Sequence, residues 1–360
     1  MVPTVAIDHH GDRTAKEETV PHRIVVLNPP PEASFQYESE ALVPLGARIE
    51  VARVATDNEA IASVRSAEIV IPMGMRLTAA VIASLDDCRL IPSGGIGVDH
   101  IDVEAATAKG ILVTNMYDTF VEEVANHAWM LLLMAARSGV WLHESVVNNR
   151  WREAIGELFP IQRRPMPRVT GQTLGLISFG RISRAVARRG HAFGMTVLGF
   201  DPFVPDAAFA ENGVERIADL HDLFARSDFV SCHLPLTPTT HHYVQASHFA
   251  RSRKGLIFIS TGRGKVIDEA ALIAALRSGT VAAAGLDVLE EEPPAADNPL
   301  LSMPNVTLSP HMASVSDVSS VERRRLMGRQ IADVLRGTVP VGVVNPSIVE
   351  AWRERRPVAP

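Results

Sequence analysis

The sequence predicts an α/β protein built from two doubly wound parallel sheets. Short apolar strands alternate with helical stretches in two successive blocks, and one strand–turn–helix segment has the form of a nucleotide site. The chain has 360 residues, of which 46% are hydrophobic and 21% charged. That length allows two domains, each with a buried core.

The first block contains five apolar segments of strand length. Helical composition separates some of them, at 77–85 and 103–109. Alternation of this kind implies a parallel sheet covered by helices. The predicted strands are 24–27, 49–52, 68–71, 89–91 and 111–115.

A long helix is predicted from about 121 to 137, and its nearly all-round apolar character implies burial. The tail that begins near 345 is rich in Pro and Arg and is expected to fray. Between these two segments, the predicted strands are 174–177, 197–201, 229–233, 256–260, 283–288 and 306–309. The helices predicted there are 184–192, 218–225, 269–278 and 318–335.

The composition argues against several classes of protein. The formal net charge is −6, which disfavours nucleic acid as the main partner, because phosphate binding needs a basic surface. Residues 1–22 lack the apolar segment of a secretory signal, and the longest apolar helical run is too short to span a bilayer. Cys88 and Cys232 are the only cysteines and are predicted to be buried. We therefore expect a soluble, cytoplasmic protein without a membrane partner.

Residues 173–201 predict a dinucleotide site. An apolar strand runs into a turn and a helix, and the following strand ends at Asp201. The glycine positions of the usual Gly-x-Gly-x-x-Gly fingerprint are occupied by Ser178, Gly180 and Ser183. Serine is small, so we expect both replacements to be tolerated. The Ser178 side chain is expected either to crowd the tight turn or to cap the helix with its hydroxyl.

The start of this helix is expected to bind a pyrophosphate. Backbone N–H groups around Arg181 and Ile182 would face the phosphates, and the Arg181 charge would add to the helix dipole. Asp201 is expected to accept hydrogen bonds from the adenosine ribose and to repel a 2′-phosphate. NAD is therefore favoured over NADP as the cofactor.

A second glycine-rich loop, residues 93–99, follows the strand predicted at 89–91. Its glycines allow backbone amides to converge on an anion. Ser93, Gly94 and Gly95 are therefore candidate anion-binding residues. The alternative is an ordinary turn between a strand and a helix.

Arg263, Glu292 and His311 have side chains suited to acid–base chemistry on a carboxylate. The planar fork of an arginine can donate two parallel hydrogen bonds to a carboxylate. A glutamate beside a histidine gives a proton donor whose charged form is favoured. Next to a nicotinamide, these three groups suffice to reduce a 2-oxo acid or to oxidise the matching 2-hydroxy acid. Each residue alone also fits an ordinary surface position.

The order and spacing of these motifs, from about Arg23 to Pro346, resemble the D-isomer-specific 2-hydroxyacid dehydrogenase family. The resemblance implies a flavodoxin-like substrate domain, discontinuous over 1–120 and 312–346, and a Rossmann NAD-binding domain over 121–311. A frayed tail would follow at 347–360. Family members are commonly homodimers, and the region 141–168 is expected to form the dimer arm.

The resemblance also assigns roles to residues near the cofactor. Pro235, Thr240 and Thr261 match positions that line the cofactor site, together with Ser178, Gly180, Arg181, Ile182 and Asp201. Asp287 matches the aspartate that orients the nicotinamide carboxamide.

The remaining roles concern a small 2-hydroxy or 2-oxo acid as substrate. Its carboxylate is expected on the amides of Gly94 and Gly95 and on Arg263, which also polarises the 2-oxo group. His311 is expected to donate or accept the proton, and Glu292 to fix the tautomer of its ring.

Several departures from the family leave the particular acid open, among them Ser260, Gly262 and Ala313. Formate is disfavoured, because formate dehydrogenases carry glutamine where this chain has Glu292. Two alternatives remain: an NAD(H)-binding regulatory protein of the corepressor type with little turnover, or a relative inactivated by its serine substitutions.

No metal site is predicted. His241 and His242 are adjacent, but the sequence offers no carboxylate or cysteine partner at ligand spacing, so we expect a solvated pair.

Overall fold

The computed structural model describes residues 22–158 and 166–355, and it contains two sheets with helices around them. The strands are Arg23–Leu27 (β1), Arg48–Ala52 (β2), Ile69–Pro72 (β3), Leu90–Pro92 (β4), Leu112–Thr114 (β5), Thr173–Ile177 (β6), Thr196–Phe200 (β7), Glu215–Arg216 (β8), Phe229–Cys232 (β9), Leu256–Ser260 (β10), Val281–Leu286 (β11) and Val306–Leu308 (β12).

The helices alternate with the strands along most of the chain. They are Gln36–Leu42 (α1), Asp57–Val64 (α2), Ala79–Ala83 (α3), Val103–Lys109 (α4), Val121–Ala136 (α5), Gly139–Val147 (α6), Trp151–Leu158 (α7), Arg181–Ala192 (α8), Asp206–Glu211 (α9), Leu220–Arg226 (α10), Ala246–Arg251 (α11), Glu269–Ser278 (α12), Asp317–Leu335 (α13) and Val349–Arg355 (α14).

Both sheets are parallel, which confirms the predicted fold class. The first has the order β2-β1-β3-β4-β5, the flavodoxin-like arrangement. The second, read from its other edge, has the order β8-β7-β6-β9-β10-β11-β12, a Rossmann arrangement extended by one strand. In sheets of this kind, ligands bind beyond the carboxyl ends of the strands where the strand order reverses, here between β6 and β9.

Helix α5 connects the first sheet to the second and packs on the second. Trp129 Nε1 donates a hydrogen bond of 3.2 Å to the Val186 carbonyl of α8. On the opposite side, Gly285 lets β11 approach so closely that an added Cβ would lie 2.8 Å from Leu131 Cβ. The expected all-round burial is wrong along one stripe, because Glu122, Asn126 and Met130 are exposed at four-residue spacing.

Helix α13 returns the chain to the first sheet, as predicted. Arg324 Nε and Nη2 donate hydrogen bonds of 2.9 to 3.2 Å to the Glu38 carboxylate of α1, which is 1% exposed. Gly328 allows this close contact, since an added Cβ would lie 2.8 Å from the Glu38 carbonyl oxygen. The C-terminal part of the chain thereby stabilises the N-terminal sheet.

The predicted fraying of the tail is wrong for residues 347–355. These residues form a short 3₁₀ turn and α14, and Trp352 is 2% exposed in the same apolar core as Leu335 of α13. The aromatic side chain orders the segment by burial, despite the arginines that follow it. The last five residues, 356–360, lie outside the described part, and the division into domains stays a prediction.

Two smaller predictions concern the burial of the cysteines and the length of the apolar helices. Cys88 and Cys232 are both buried, as expected. Within the described ranges, no helix is long and apolar enough to cross a membrane.

Candidate active site

A cavity of about 910 Å³ lies at the carboxyl ends of the second sheet, and residues of the first sheet's loops close its other side. All nine residues predicted to bind the cofactor line it: Ser178, Gly180, Arg181, Ile182, Asp201, Pro235, Thr240, Thr261 and Asp287. The topology therefore brings together residues from five separate loops, as the switch-point rule requires.

The turn between β6 and α8 has the form of a phosphate-binding turn. Ser178 has φ of +74°, a left-handed conformation in which glycine is usual. Gly180 is the N-cap of α8, and a Cβ added there would have only Ser178 Oγ nearby, at 4.0 Å. Gly180, and not Ser178, is the N-cap residue, so the suggested capping by the Ser178 hydroxyl is not found. The free N–H groups at this helix start fit a dinucleotide pyrophosphate.

Ser183 occupies the third fingerprint position and is fully buried. Its Oγ has no hydrogen-bond partner among the described residues.

Arg181, at the start of α8, contacts the loop after β5. Its Nη1 donates to the Tyr117 carbonyl (3.0 Å), and its guanidinium lies over the Tyr117 ring. Arg181 thus connects the phosphate turn to the loop after β5.

Asp201 follows β7, and both oxygens of its carboxylate accept backbone hydrogen bonds. One carboxylate oxygen accepts the Phe179 N–H (2.9 Å) and the other accepts the Phe203 N–H (2.9 Å). These bonds fix an acidic group at the cavity wall beside the phosphate turn. Phe203 next to it is 93% exposed, and it lines the mouth of the cavity.

The loop after β9 contains a buried histidine to which the sequence assigned no role. His233 Nε2 lies 2.9 Å from Ser231 Oγ, and Nδ1 lies 2.8 Å from Thr261 Oγ1. Burial lowers the pKa of His233 to about 4, so the ring is neutral near pH 7. Farther along the loop, Thr240 Oγ1 donates to the Pro235 carbonyl (2.7 Å) and holds the loop against the cavity.

Asp287 supports the turn that carries His311. Its buried carboxylate accepts hydrogen bonds from Ser309 Oγ (2.6 Å) and from the N–H groups of Met312 and Ala313 (both 2.9 Å). His127 of α5 extends this network, with Nε2 2.7 Å from Ser309 Oγ. Sequence reasoning missed His127, although a single histidine within an apolar helix was a usable signal.

His311 and Glu292 form a hydrogen-bonded pair. His311 Nδ1 lies 2.6 Å from Glu292 Oε2, and Glu292 Oε1 accepts the Leu289 N–H at 3.1 Å. His311 has φ of +54° and lines the cavity, while Glu292 lies behind it. Burial raises the pKa of Glu292, but the hydrogen bond and charge of His311 outweigh burial and hold the pKa below its usual value. The ring nitrogen Nε2 is left for proton exchange at the cavity.

Arg263 connects the two sheets across the cavity. Its Nε donates to Asp99 Oδ1 (3.0 Å) and its Nη1 to the Gly262 carbonyl (2.9 Å). The guanidinium lies so close to Gly97 that any side chain there would collide with it. Burial raises the pKa of Asp99, yet the nearby Arg263 charge lowers it overall, so the carboxylate is ionised.

Of the three residues predicted to bind an anion, one lines the cavity. Ser93 is buried, and its Oγ donates to the Gly97 carbonyl (2.9 Å) while accepting the Gly95 N–H (3.3 Å). Neither Ser93 nor Gly94 lines the cavity, whereas Gly95, Gly97 and Asp99 do. The hydroxyl of Ser93 is used inside the loop, where it links Gly95 to Gly97.

The expectation that the histidine pair lacks a carboxylate partner is wrong. His242 Nε2 lies 2.7 Å from Glu290 Oε1. The two residues are 48 positions apart, so the spacing along the chain did not reveal the contact.

Comparison with known proteins places this arrangement in a family. Residues 129–313, just over half of the chain, match the model of the D-isomer specific 2-hydroxyacid dehydrogenase NAD-binding domain. A D-3-phosphoglycerate dehydrogenase of Methanocaldococcus jannaschii is 36% identical over 90% of this chain, which spans only 59% of that relative. A glyoxylate reductase of Korarchaeum cryptofilum is 37% identical, covering 76% of this chain and 81% of the relative.

Solved structures give the same result. A D-lactate dehydrogenase from Aquifex aeolicus, complexed with NAD and lactic acid, superposes with a TM-score of 0.75 at 26% identity. The match covers 91% of this chain and 98% of that one. With the strand order, the phosphate turn and the His311–Glu292 pair in place, this chain belongs to the D-isomer-specific 2-hydroxyacid dehydrogenases and carries their NAD-binding domain.

Proposed function

We propose that the protein is an NAD-dependent D-2-hydroxyacid dehydrogenase that interconverts a small 2-hydroxy acid and its 2-oxo acid. The observation that carries the proposal is the 2.6 Å bond between His311 Nδ1 and Glu292 at a cavity lined by the nine cofactor residues. When bound, NAD would accept a hydride from the 2-hydroxy acid, and NADH would donate one to the 2-oxo acid. The names of the relatives favour an enzyme over the regulatory alternative.

His311 acts as the general acid in reduction and as the general base in oxidation. Because Nδ1 is bonded to Glu292, the proton is exchanged at Nε2. Glu292 fixes the orientation of the ring through this bond. General acid–base help of this kind is worth roughly 10² to 10⁴ in rate.

Arg263 binds the substrate carboxylate and polarises the 2-oxo group. Its Nε and Nη1 are already bonded to Asp99 and to the Gly262 carbonyl, which fixes the guanidinium plane. Nη2, which lies over Gly97, is the group that remains for the substrate. Gly95 contributes its backbone to the same wall of the cavity.

The cofactor preference is for NAD over NADP. The Asp201 carboxylate is fixed by two backbone N–H groups, and an anion in that place repels a 2′-phosphate. The open space around Gly180 supports binding of a pyrophosphate despite the two serines.

Domain division, assembly and location belong to the same proposal. The substrate domain comprises 1–120 and 312–346, and the NAD-binding domain comprises 121–311. Exposed apolar side chains on α6 and α7, Val147 and Trp151 among them, support a homodimer formed through this arm. We expect a cytoplasmic enzyme with no nucleic-acid or membrane partner, and sedimentation of the purified protein tests the dimer.

The first test is NADH oxidation with glyoxylate, hydroxypyruvate, pyruvate and phenylpyruvate. We expect turnover with at least one acid, a loss of 10² to 10⁴ in His311→Ala, and a weaker rate with NADPH. Tight NADH binding without turnover of any acid would contradict the enzyme and favour the regulatory protein. Failure to bind either nicotinamide cofactor would favour the inactivated relative.

A further inference from the structure

Three potential metal ligands meet outside the cavity. His241 and His242 follow the loop after β9, and Glu290 belongs to the loop after β11. Their ligand atoms all lie within 4.8 Å of one another. None of the three lines the cavity, although their neighbours Thr240, Tyr243 and Glu292 belong to the candidate active site or support it. We refer to them as the His–His–Glu cluster.

The geometry of the cluster directs both imidazoles to the same side. Adjacent residues in an extended chain point to opposite faces, but His242 has φ of +47°, which turns its ring back towards His241. The two rings are stacked with centroids 4.1 Å apart and planes 27° apart. His242 Nε2 is 2.7 Å from Glu290 Oε1, and both side chains are about one-third exposed, so the cluster is open to solvent on one side.

The surrounding residues hold the cluster in place. The Glu290 N–H donates to Glu269 Oε2 (2.9 Å), and the other oxygen of Glu269 accepts from Asn298 Nδ2 (2.7 Å). The His242 N–H donates to the Lys265 carbonyl (2.8 Å). Gly264 packs against the Leu289 carbonyl so tightly that any side chain would collide with it. Such backbone support is what keeps metal ligands oriented before the ion binds.

We propose that the His–His–Glu cluster binds a divalent transition-metal ion, with Zn²⁺ the preferred ion. Two neutral imidazoles and one carboxylate are a donor set that suits zinc, with bonds of roughly 2.0 to 2.2 Å. Ligand atoms on a tetrahedral ion are about 3.3 Å apart, so the 2.7 Å pair needs only a small opening to admit it. Water takes the fourth position on the exposed side.

The role that follows is structural. The ion would join the loop that carries Thr240 to the loop that carries Glu292, and it would do so away from the reacting atoms. Binding is therefore independent of the proposed dehydrogenase activity, and either can fail without the other. Without a metal ion, an exposed ion pair between His242 and Glu290 would not join the two loops through a shared ligand, and it would contribute little to the free energy of unfolding.

The test is titration of the metal-free full-length protein with Zn²⁺ by calorimetry, and with Co²⁺ to record the visible absorption of a tetrahedral site. His242→Ala and Glu290→Gln remove ligands. Glu291→Gln, which changes the neighbouring charge but removes no ligand, is the matched control. Circular dichroism of each metal-free variant checks that it is folded.

We expect the number of Zn²⁺ ions bound per chain to fall by one, or the affinity to fall at least tenfold, in both ligand variants. Glu291→Gln should bind as the unchanged protein does. His241→Ala, checked for folding in the same way, is a third ligand variant and must show the same loss. Equal stoichiometry and affinity in all five proteins would overturn the proposal, as would the absence of any Zn²⁺ binding.

Discussion

At the residue scale, Ser178 is the clearest departure from a phosphate-turn fingerprint. Its φ of +74° costs an L-residue roughly 1 to 2 kcal/mol, which glycine avoids. We expect Ser178→Gly to raise the free energy of unfolding by about 1 kcal/mol after the extra chain entropy of glycine. The affinity for NADH should be unchanged or higher, because the backbone of the turn is already in the binding conformation.

Urea unfolding of both proteins, with NADH titration by fluorescence, measures this effect. Ser183→Gly is the control, because the chain entropy of glycine within α8 and the removal of a buried hydroxyl without a partner oppose each other and should leave the stability nearly unchanged. A Ser178→Gly protein that is less stable than the original would mean that the serine side chain stabilises the turn.

His233 gives a prediction about acid stability. Burial lowers its pKa from the usual 6.5 to about 4, so between these values the unfolded chain binds a proton that the folded chain does not. The contribution of the neutral His233 ring to the free energy of unfolding is complete above about pH 6.5, and it declines as the pH falls towards 4. Over this pH range the loss of unfolding free energy is at most about 3 kcal/mol.

His233→Asn keeps polar atoms in place but cannot take up the proton. Its free energy of unfolding should therefore fall less between pH 7 and pH 5 than that of the unchanged protein, as measured by urea titration at each pH. His221→Asn, at a more exposed histidine, serves as the control. Identical pH dependence in the unchanged protein and His233→Asn would show that His233 does not resist protonation.

At the element scale, the sequence predicted helix ends best where end signals are strong. Helix α12 was predicted with its correct bounds, because Asp268 caps its start by accepting the Ala271 N–H and Gly279 ends it in a left-handed conformation. Helix α1 was missed, since it begins after Phe35 with no side-chain cap. The two-residue strand β8 was also missed, because it is too short to show alternation.

The C-terminal helix α14 was predicted to fray because the tail is rich in Pro and Arg. Its stability rests on Trp352. This side chain is 2% exposed in the core shared by β1 and α13. We expect Trp352→Ala to lower the free energy of unfolding by about 3 to 5 kcal/mol, the usual loss for a buried aromatic residue. Chemical denaturation provides the measurement.

Glu350→Ala, on the exposed side of the same helix, is the control and should change the stability by less than about 0.5 kcal/mol. If Trp352→Ala were as mild as Glu350→Ala, the tail would contribute no packing and the prediction of fraying would be right after all.

At the scale of the whole molecule, the sequence predicted local motifs well and the contacts between distant segments poorly. Arg263, Glu292, His311 and the phosphate turn were recognisable, because each lies in its own local pattern of residue types. The bond between Arg263 and Asp99 joins residues 164 positions apart, and the network of His127 with Ser309 joins residues 182 apart. The internal hydrogen bonds of Ser93 were not foreseen for a related reason, since only the folded loop brings its hydroxyl to the Gly97 carbonyl.

The Arg263–Asp99 bond therefore deserves a test as a positioning contact between the two sheets. Asp99→Asn keeps the shape but removes the charge that holds the guanidinium over Gly97. We expect kcat/KM for the 2-oxo acid to fall about 10- to 100-fold, mainly through KM, because the carboxylate clamp is no longer fixed in plane. The Kd for NADH should be unchanged, since Asp99 lies in the loop after β4 and not in the phosphate turn between β6 and α8. Steady-state kinetics and NADH titration on the same protein separate these two effects. If kcat/KM were unchanged, Arg263 would be fixed by its bond to the Gly262 carbonyl alone; if NADH binding fell as well, Asp99 would support the cleft as a whole and not the substrate clamp.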